Sequence, residues 1–109
     1  MKKINIVKKN YDVNKIINKR NMVKNKYFYI YYDKNDLKTH RFAICVSTKI
    51  GNAVRRNKLK RQIKDIIDKS NLIFKYPVDY VIIVKKEINE LNYEQIRANL
   101  IELISKLLD

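Results

Sequence analysis

The sequence has few of the residues that would indicate a disulfide framework, a glycine-rich loop or a membrane segment. One cysteine, one glycine, one proline, one histidine and no tryptophan occur in 109 residues. A single cysteine excludes an internal disulfide and fits a reducing compartment, and a single glycine excludes a Walker-type phosphate loop. No apolar run reaches the length of a membrane span, and the N-terminus lacks the apolar core of a secretory signal. These absences predict a soluble cytoplasmic protein with no membrane partner.

Acidic residues are also scarce, and one long segment has none. The chain has 25 Lys and Arg against 11 Asp and Glu, a net charge of +14. Residues 37–64 carry nine cations and no acid, and residues 1–26 carry nine cations and one acid. The rest of the chain is close to neutral. A cation excess confined to the first sixty or so residues indicates a surface for a polyanion, with nucleic acid as the usual partner; a basic face that only aids solubility is the alternative.

The few titratable residues form no pattern typical of a catalytic site. No tight pair of carboxylates and no carboxylate–histidine set occurs. Cys45 lies in an alternating apolar run, where a thiol usually acts as a small hydrophobe, and nothing places His40 beside it. Asp65 and Asp68 share a helical face and could hold a hydrated Mg²⁺, although this ion usually needs substrate phosphates as well; ordinary surface carboxylates are the alternative. A self-sufficient nuclease is therefore not expected.

The hydrophobic pattern predicts three helices in a single domain, residues 1–109, with a basic arm at about residues 1–10. The first helix surrounds Asp12. The second follows Gly51, which suggests a backbone conformation that other residues resist, and Asn52, a suitable N-cap. Asn92 and Gln95 resemble a capping box for the third. The three apolar stripes are Val13, Ile16 and Ile17; Leu59, Ile63, Ile66 and Ile67; and Ile96, Leu100, Leu103, Ile104 and Leu107.

Three segments predict strands, at residues 27–32, 41–47 and 78–84. If the first two pair across a turn at residues 33–36, alternation places the bulky apolar side chains on one sheet face and tyrosines beside small residues on the other. The apolar face would hold Phe28, Ile30, Tyr32, Phe42, Ile44 and Val46; the other would hold Tyr27, Tyr29, Tyr31, Arg41, Ala43, Cys45 and Ser47. The tyrosine face could stack unpaired bases, or its tyrosines could simply be half-buried strand residues.

The third strand segment is apolar almost throughout, as expected for a strand covered on both faces. The order strand, helix, strand indicates a βαβ unit with parallel pairing. The predicted fold class is α+β (an α/β two-layer arrangement), with three helices on one mixed four-stranded sheet.

The cations of the second helix lie in rows beside its apolar stripe. Arg56, Lys60 and Lys64 are each four residues apart, and Asn57 and Arg61 lie on the next row out. Like charges at this spacing destabilise an isolated helix, so a polyanionic partner would account for them. The apolar C-terminal half anchors the helix, and the N-terminal half presents its cations and the positive end of the helix dipole to phosphates.

Residues 49–61, Lys-Ile-Gly-Asn-Ala-Val-Arg-Arg-Asn-Lys-Leu-Lys-Arg, continuing to Lys64, resemble the RNR motif of the bacterial ribonuclease P protein family. The similarity extends over roughly residues 8–108. Outside the motif, the segments that match the family in order and spacing are residues 9–10, 28–31, 41, 79–83 and 91–94. The resemblance implies the protein subunit of a ribonucleoprotein that removes the 5′ leader of precursor tRNA.

In that family the RNA subunit performs the Mg²⁺-dependent hydrolysis, so the resemblance implies no protein catalytic residue. It also implies a left-handed βαβ crossover, against the usual right-handed rule. The partners are the ribonuclease P RNA, one per protein, and the single-stranded leader of precursor tRNA. The implied residues that bind the RNA subunit are Lys49, Asn52, Arg55, Arg56, Asn57, Lys58, Lys60, Arg61 and Lys64. Ala53 lies with Lys49 and Asn52 at the entry to this surface. The implied leader cleft, between the first helix and the sheet, has Val13, Ile17, Tyr29, Tyr31, Arg41 and Lys85.

This sequence departs from the family pattern at several of these positions. Lys58, Lys64 and Lys85 stand where Arg is common, which keeps the charge but loses the bidentate guanidinium fork. Val13 and Ile17 stand where aromatic residues are frequent, so any base stacking would fall to the tyrosines of the sheet. A structural RNA-binding protein of the ribosomal type, without a processing role, is the alternative function.

Overall fold

Three helices and a four-stranded sheet make up the computed structural model, which describes residues 5–7, 9–70, 72 and 77–108. This confirms the predicted α+β class, with three helices on one mixed sheet. The elements in chain order are α1 (Asn10–Asn18), β1 (Met22–Lys24), β2 (Phe28–Lys34), β3 (Arg41–Cys45), α2 (Ala53–Lys69), β4 (Val78–Val84), a short 3₁₀ helix (Lys86–Glu90) and α3 (Tyr93–Leu108). No helix within these residues is both long enough and apolar enough to cross a membrane.

The strands lie in the order β1-β2-β4-β3, so the predicted pairing of β2 with β3 is wrong. β4 lies between them, antiparallel to β2 and parallel to β3. Its apolar side chains explain this position, because Val81 and Ile82 are completely buried on opposite faces. The turn after β2 also starts later than predicted, since β2 continues to Lys34, which is in register with Val78.

Each face of the sheet has its own hydrophobic cluster. On one face α2 and α3 bury their predicted stripes against strand residues such as Phe28, Phe42 and Ile82. On the opposite face α1 packs through Ile16 on Ala43 and Val81. The predicted alternation is therefore confirmed for residues 28–32 and 41–45, whereas Tyr27, predicted on the tyrosine face, packs against the cluster of the other face. α1 adds a partial layer over the face with the small residues.

The connection β3–α2–β4 forms the predicted βαβ unit with parallel strands. Its left-handed course, which the family resemblance implies, stays a prediction. The basic arm contributes a short extended piece, because Ile6 bridges Phe42 in parallel and the Val7 N–H donates to the Phe42 carbonyl at 2.8 Å. Residues 1–4 and 8 of the arm lie outside the described residues.

The start of α2 confirms one prediction and overturns another. Asn52 is the N-cap, and its side-chain oxygen accepts the Arg55 N–H at 2.9 Å. Gly51, however, has no left-handed backbone, so the predicted conformational reason is wrong. A Cβ at position 51 would lie 3.0 Å from Cγ of Arg55, whose Nε donates to Asn89 at 3.2 Å. The glycine gives space to a side chain of the next helix.

Candidate nucleic-acid interface

The N-terminal half of α2 presents cations in two rows of different exposure. Asn57, Lys58 and Arg61 are exposed, whereas Arg56, Lys60 and Lys64 are half-buried. The two rows flank the buried stripe that begins at Leu59 and Ile63, which holds the helix on the sheet. α2 can therefore carry its charge without losing its anchor.

No carboxylate among the described residues forms an ion pair with the seven cations between Lys49 and Lys64. The first ion pair along α2 joins Lys69 to Asp65, one turn after the basic rows end. The positive end of the helix dipole lies at the same end of α2 as the cations. This half of α2 therefore has a strong positive field and backbone N–H groups suited to phosphate oxygens.

A groove of about 320 Å³ lies where the arm, α1, β3 and α2 meet. Val13 of α1 lines it together with Lys60 and Lys64 of α2, and Cys45 of β3 lies on its floor. One predicted leader residue and two predicted RNA-subunit residues thus share one depression. Burial raises the pKa of the Cys45 thiol, an effect that Lys60 partly offsets. Cys45 is therefore a neutral thiol at physiological pH, as a small hydrophobe should be.

The other predicted leader residues fall into two places on the same sheet face. Val13, Ile17 and Tyr31 pack together around the α1 cluster, each half-buried. Tyr29, two residues from Tyr31 along β2, lies under Lys85, whose Nζ is 4.8 Å from the ring centroid. The Lys85 ammonium also donates to the Asn25 carbonyl at 3.3 Å. The structure thus presents two tyrosine rings and a cation along one line of the face.

Arg41, the remaining leader residue, is already committed to a partner within the fold. Its Nε and Nη2 donate to the two oxygens of Asp79 at 2.8 and 2.6 Å. Asp79 is 6 % exposed and also accepts from the Asn35 amide at 2.8 Å. Donation of these hydrogen bonds to Asp79 raises the pKa of Arg41. The leader-binding role of Arg41 stays a prediction, while its structural role is plain: it neutralises a buried carboxylate.

Sequence reasoning missed Asp79 as part of this site. The available signal was an acid inside the apolar run of residues 78–84, since an ionised carboxylate in a buried strand needs a cationic or hydrogen-bonding partner. Arg41 and Asp79 are in direct register between β3 and β4. Only the pairing of these two strands, which the local pattern does not give, identifies the partner.

The described residues offer no built site for a metal ion. No group of three or more His, Cys, Asp or Glu within them could hold one. Asp65, the candidate for a hydrated Mg²⁺ together with Asp68, instead accepts the Tyr93 hydroxyl at 3.1 Å and pairs with Lys69 at 3.2 Å. The Tyr93 contact ties α2 to α3, and the Lys69 contact lies within α2.

A two-sided α+β domain with a cationic helix end and a tyrosine-bearing sheet face defines a nucleic-acid-binding protein, one suited to RNA with unpaired bases. Comparison of the sequence with known families identifies the particular family. The ribonuclease P family model matches residues 1–108, and the chain belongs to the ribonuclease P protein family.

Individual relatives agree over nearly the whole chain. The ribonuclease P protein component of Mycoplasma mycoides subsp. mycoides is 41 % identical over 108 residues, covering 98 % of this chain and 99 % of the relative. That of Streptococcus agalactiae serotype III is 38 % identical over 104 residues, covering 95 % and 94 %. A solved structure of the Staphylococcus aureus RNase P protein superposes with a TM-score of 0.84 at 31 % identity, covering 94 % of each chain. The RNase P protein from Thermotoga maritima gives 0.83 at 28 % identity, covering 92 % and 94 %.

Proposed function

We propose that this chain is the protein subunit of ribonuclease P, a cytoplasmic endoribonuclease that removes the 5′ leader of precursor tRNA. The observation that carries this proposal is the family match over residues 1–108. One protein binds one catalytic RNA and the leader of its substrate. The chemistry belongs to the RNA subunit, and we place the Mg²⁺ that ribonuclease P needs with the RNA subunit and the substrate phosphates.

The RNA subunit binds the N-terminal half of α2 and the turn before it. Support comes from the exposed row of Asn57, Lys58 and Arg61, from exposed Lys49 and Asn52, and from the absence of acidic partners among the described residues. Phosphate contacts from Lys and Arg supply most of the sequence-independent affinity for a nucleic acid. α2 therefore docks the protein and takes no part in bond cleavage.

The leader lies across the sheet face that carries Val13, Ile17, Tyr31 and Tyr29. The groove beneath α1 opens beside this face, and Lys60 and Lys64 on its wall can meet leader phosphates. Tyrosine rings accept unpaired bases of any sequence, because every base has a π-face. Lys85 adds a cation at the Tyr29 end.

Reconstitution tests the proposed function. Purified protein is added to a bacterial ribonuclease P RNA at a low Mg²⁺ concentration that does not support cleavage by the RNA alone. Restored removal of the leader is the expected result. RNA binding without restored cleavage would favour the structural RNA-binding alternative, and cleavage by the protein with no RNA subunit would indicate a stand-alone nuclease.

Charge removal on the exposed row tests the assignment of α2. Lys58→Ala with Arg61→Ala should weaken binding to the RNA subunit and reduce the slope of log affinity against log salt by about one unit per lost phosphate contact. Both side chains are exposed, so the fold should be unaffected. Lys106→Ala on α3 is the matched control, and a double variant whose slope equals that of this control would contradict the assignment.

Ring removal on opposite faces of β2 tests the leader surface. Tyr31→Leu keeps an apolar side chain but loses the stacking surface, so it should weaken precursor tRNA more than mature tRNA. Tyr32→Leu is the control, because Tyr32 packs on the cluster of the opposite face. Equal losses for precursor and mature tRNA in Tyr31→Leu would remove this residue from the leader surface.

A further inference from the structure

The outward side of α1 is a second concave surface that the proposed function does not use. Tyr11, Asn14, Lys15, Asn18 and Lys19 line a shallow depression of about 520 Å³ there. Of these five residues, Tyr11, Asn14 and Asn18 lie on the helix side opposite to buried Ile16, whereas Lys15 and the C-cap residue Lys19 lie to one side of them. We call the five residues the outer face of α1.

The composition of this face is that of a binding surface for a single nucleic-acid strand. Tyr11 is 75 % exposed, so its ring contributes little to the hydrophobic core. Asn14 and Asn18, one helical turn apart, offer amide donors and acceptors that can pair with base edges. Lys15 and Lys19 are also one turn apart, and two like charges at this spacing destabilise the helix unless a partner neutralises them.

One residue of the outer face, Lys15, also lines a neighbouring pocket that contains acids. Asp12, the one acid of α1, lies in that pocket with Arg41 and Asp79, whereas the other four residues of the outer face do not line it. Within the described part of the chain, no carboxylate forms an ion pair with Lys15 or Lys19. The basic arm is a poor occupant, because Lys2 and Lys3 have the same sign of charge.

We infer that the outer face of α1 binds the part of the 5′ leader that extends beyond the groove, with an unpaired base stacked on Tyr11 and phosphates at Lys15 and Lys19. This inference rests on the proposed function. Position supports it, because the groove is bounded by Asn10 and Val13, and Tyr11 lies between them in sequence on the outer side. A strand leaving the groove across the start of α1 would reach the Tyr11 ring first.

Charge density favours the leader over the folded RNA subunit as the occupant. Two lysines here compare with seven cations from Lys49 to Lys64 on the α2 surface, and a structured RNA needs many phosphate contacts to bind. An exposed aromatic ring needs an unpaired base to stack on, which a single-stranded leader supplies along its whole length.

The test measures affinity of the reconstituted holoenzyme for precursor tRNAs whose leaders are lengthened one nucleotide at a time, with mature tRNA included. Tyr11→Ala should leave mature tRNA and the shortest leaders unchanged and should weaken the long leaders by about tenfold, as expected for loss of one stacked base. Tyr11→Phe, which keeps the ring, should bind long leaders as the unaltered protein does. Lys15→Ala with Lys19→Ala should reduce the salt slope for long leaders only, with Lys106→Ala as the control.

The other possible results refute either this inference alone or the proposed function together with it. Equal weakening by Tyr11→Ala at every leader length, or no weakening at any length, refutes the inference while normal cleavage leaves the proposed function standing. Equal losses for Tyr11→Ala and Tyr11→Phe also refute it, because the ring would not be what the leader contacts. Failure of the unaltered protein to restore cleavage refutes the proposed function, and the inference with it.

Discussion

The ion pair between Arg41 and Asp79 gives a sharp stability prediction. Arg41→Ala leaves a carboxylate whose side chain is 8 % exposed, with the Asn35 amide as its remaining hydrogen-bond partner among the described residues. Breaking a buried pair by removing one partner costs about 3–5 kcal/mol, because the other charge stays buried. A domain of 109 residues has a total stability of about 5–15 kcal/mol. The substitution should therefore remove a large fraction of the stability.

The two partners should differ, because the Arg41 side chain is 21 % exposed and that of Asp79 only 8 %. Asp79→Asn leaves a charge that water can reach and an amide that can still bond, so its cost should be about 1–3 kcal/mol. The double variant Arg41→Ala with Asp79→Asn should be more stable than Arg41→Ala alone, since it contains no buried charge.

Urea denaturation followed by circular dichroism measures these differences in the free energy of unfolding. Arg97→Ala is a suitable control, because Arg97 and Glu94 form an exposed pair at 4.0 Å that should contribute less than about 1 kcal/mol. A loss below about 1 kcal/mol for Arg41→Ala, or a double variant whose loss equals the sum of the single losses, would refute the reasoning. Arg41 would then be free to act mainly on RNA.

Three further predictions follow from single positions. Burial lowers the pKa of His40 from its usual 6.5, so the unfolded chain takes up a proton first. The free energy of unfolding should therefore fall as pH drops through 6.5, and less in His40→Gln, as pH-dependent urea titrations would show. Gly51→Ala should change stability by less than about 1 kcal/mol, because the contacting Arg55 side chain can move; a loss above about 2 kcal/mol would indicate a backbone requirement after all. Cys45 should react slowly with iodoacetamide, since the pKa of its thiol is raised. Bound precursor tRNA should slow the alkylation further, whereas mature tRNA should not, because Cys45 lines the groove. Equal alkylation rates with both RNAs would place the leader outside the groove.

Local patterns predicted the elements whose signals lie within a few residues. The Asn92–Gln95 capping box forms as predicted, with bonds of 2.9 and 3.0 Å in the two directions. The apolar stripe of α2 is buried at all four predicted positions. β1 was not assigned from sequence, because three residues, Met22–Lys24, are too few to show an alternation.

Long-range pairing set the limit on predicting the fold. Nothing in the local pattern of β2 or β3 states that β4 will separate them, since strand partners are chosen by burial of the whole sheet. The error over Gly51 has a similar origin. A glycine before a helix usually indicates an unusual backbone angle, whereas here the reason is the side chain of Arg55, whose position depends on Asn89 in the distant 3₁₀ helix.

The candidate site was predictable on α2 and only in part on the sheet, and β3 shows why. The inward side chains of Phe42 and of Val46, which directly follows the strand, are large and buried, so their role follows from size and alternation alone. Its outward side chains Ala43 and Cys45 are small, which lets α1 approach the sheet through Ile16 yet leaves space beside it. That space becomes a groove only because Lys60 and Lys64 reach it from a helix on the other face. A period-two pattern can identify the small face of a strand, but this groove exists only where the arm, α1, β3 and α2 meet, so it could not have been derived from any one of them.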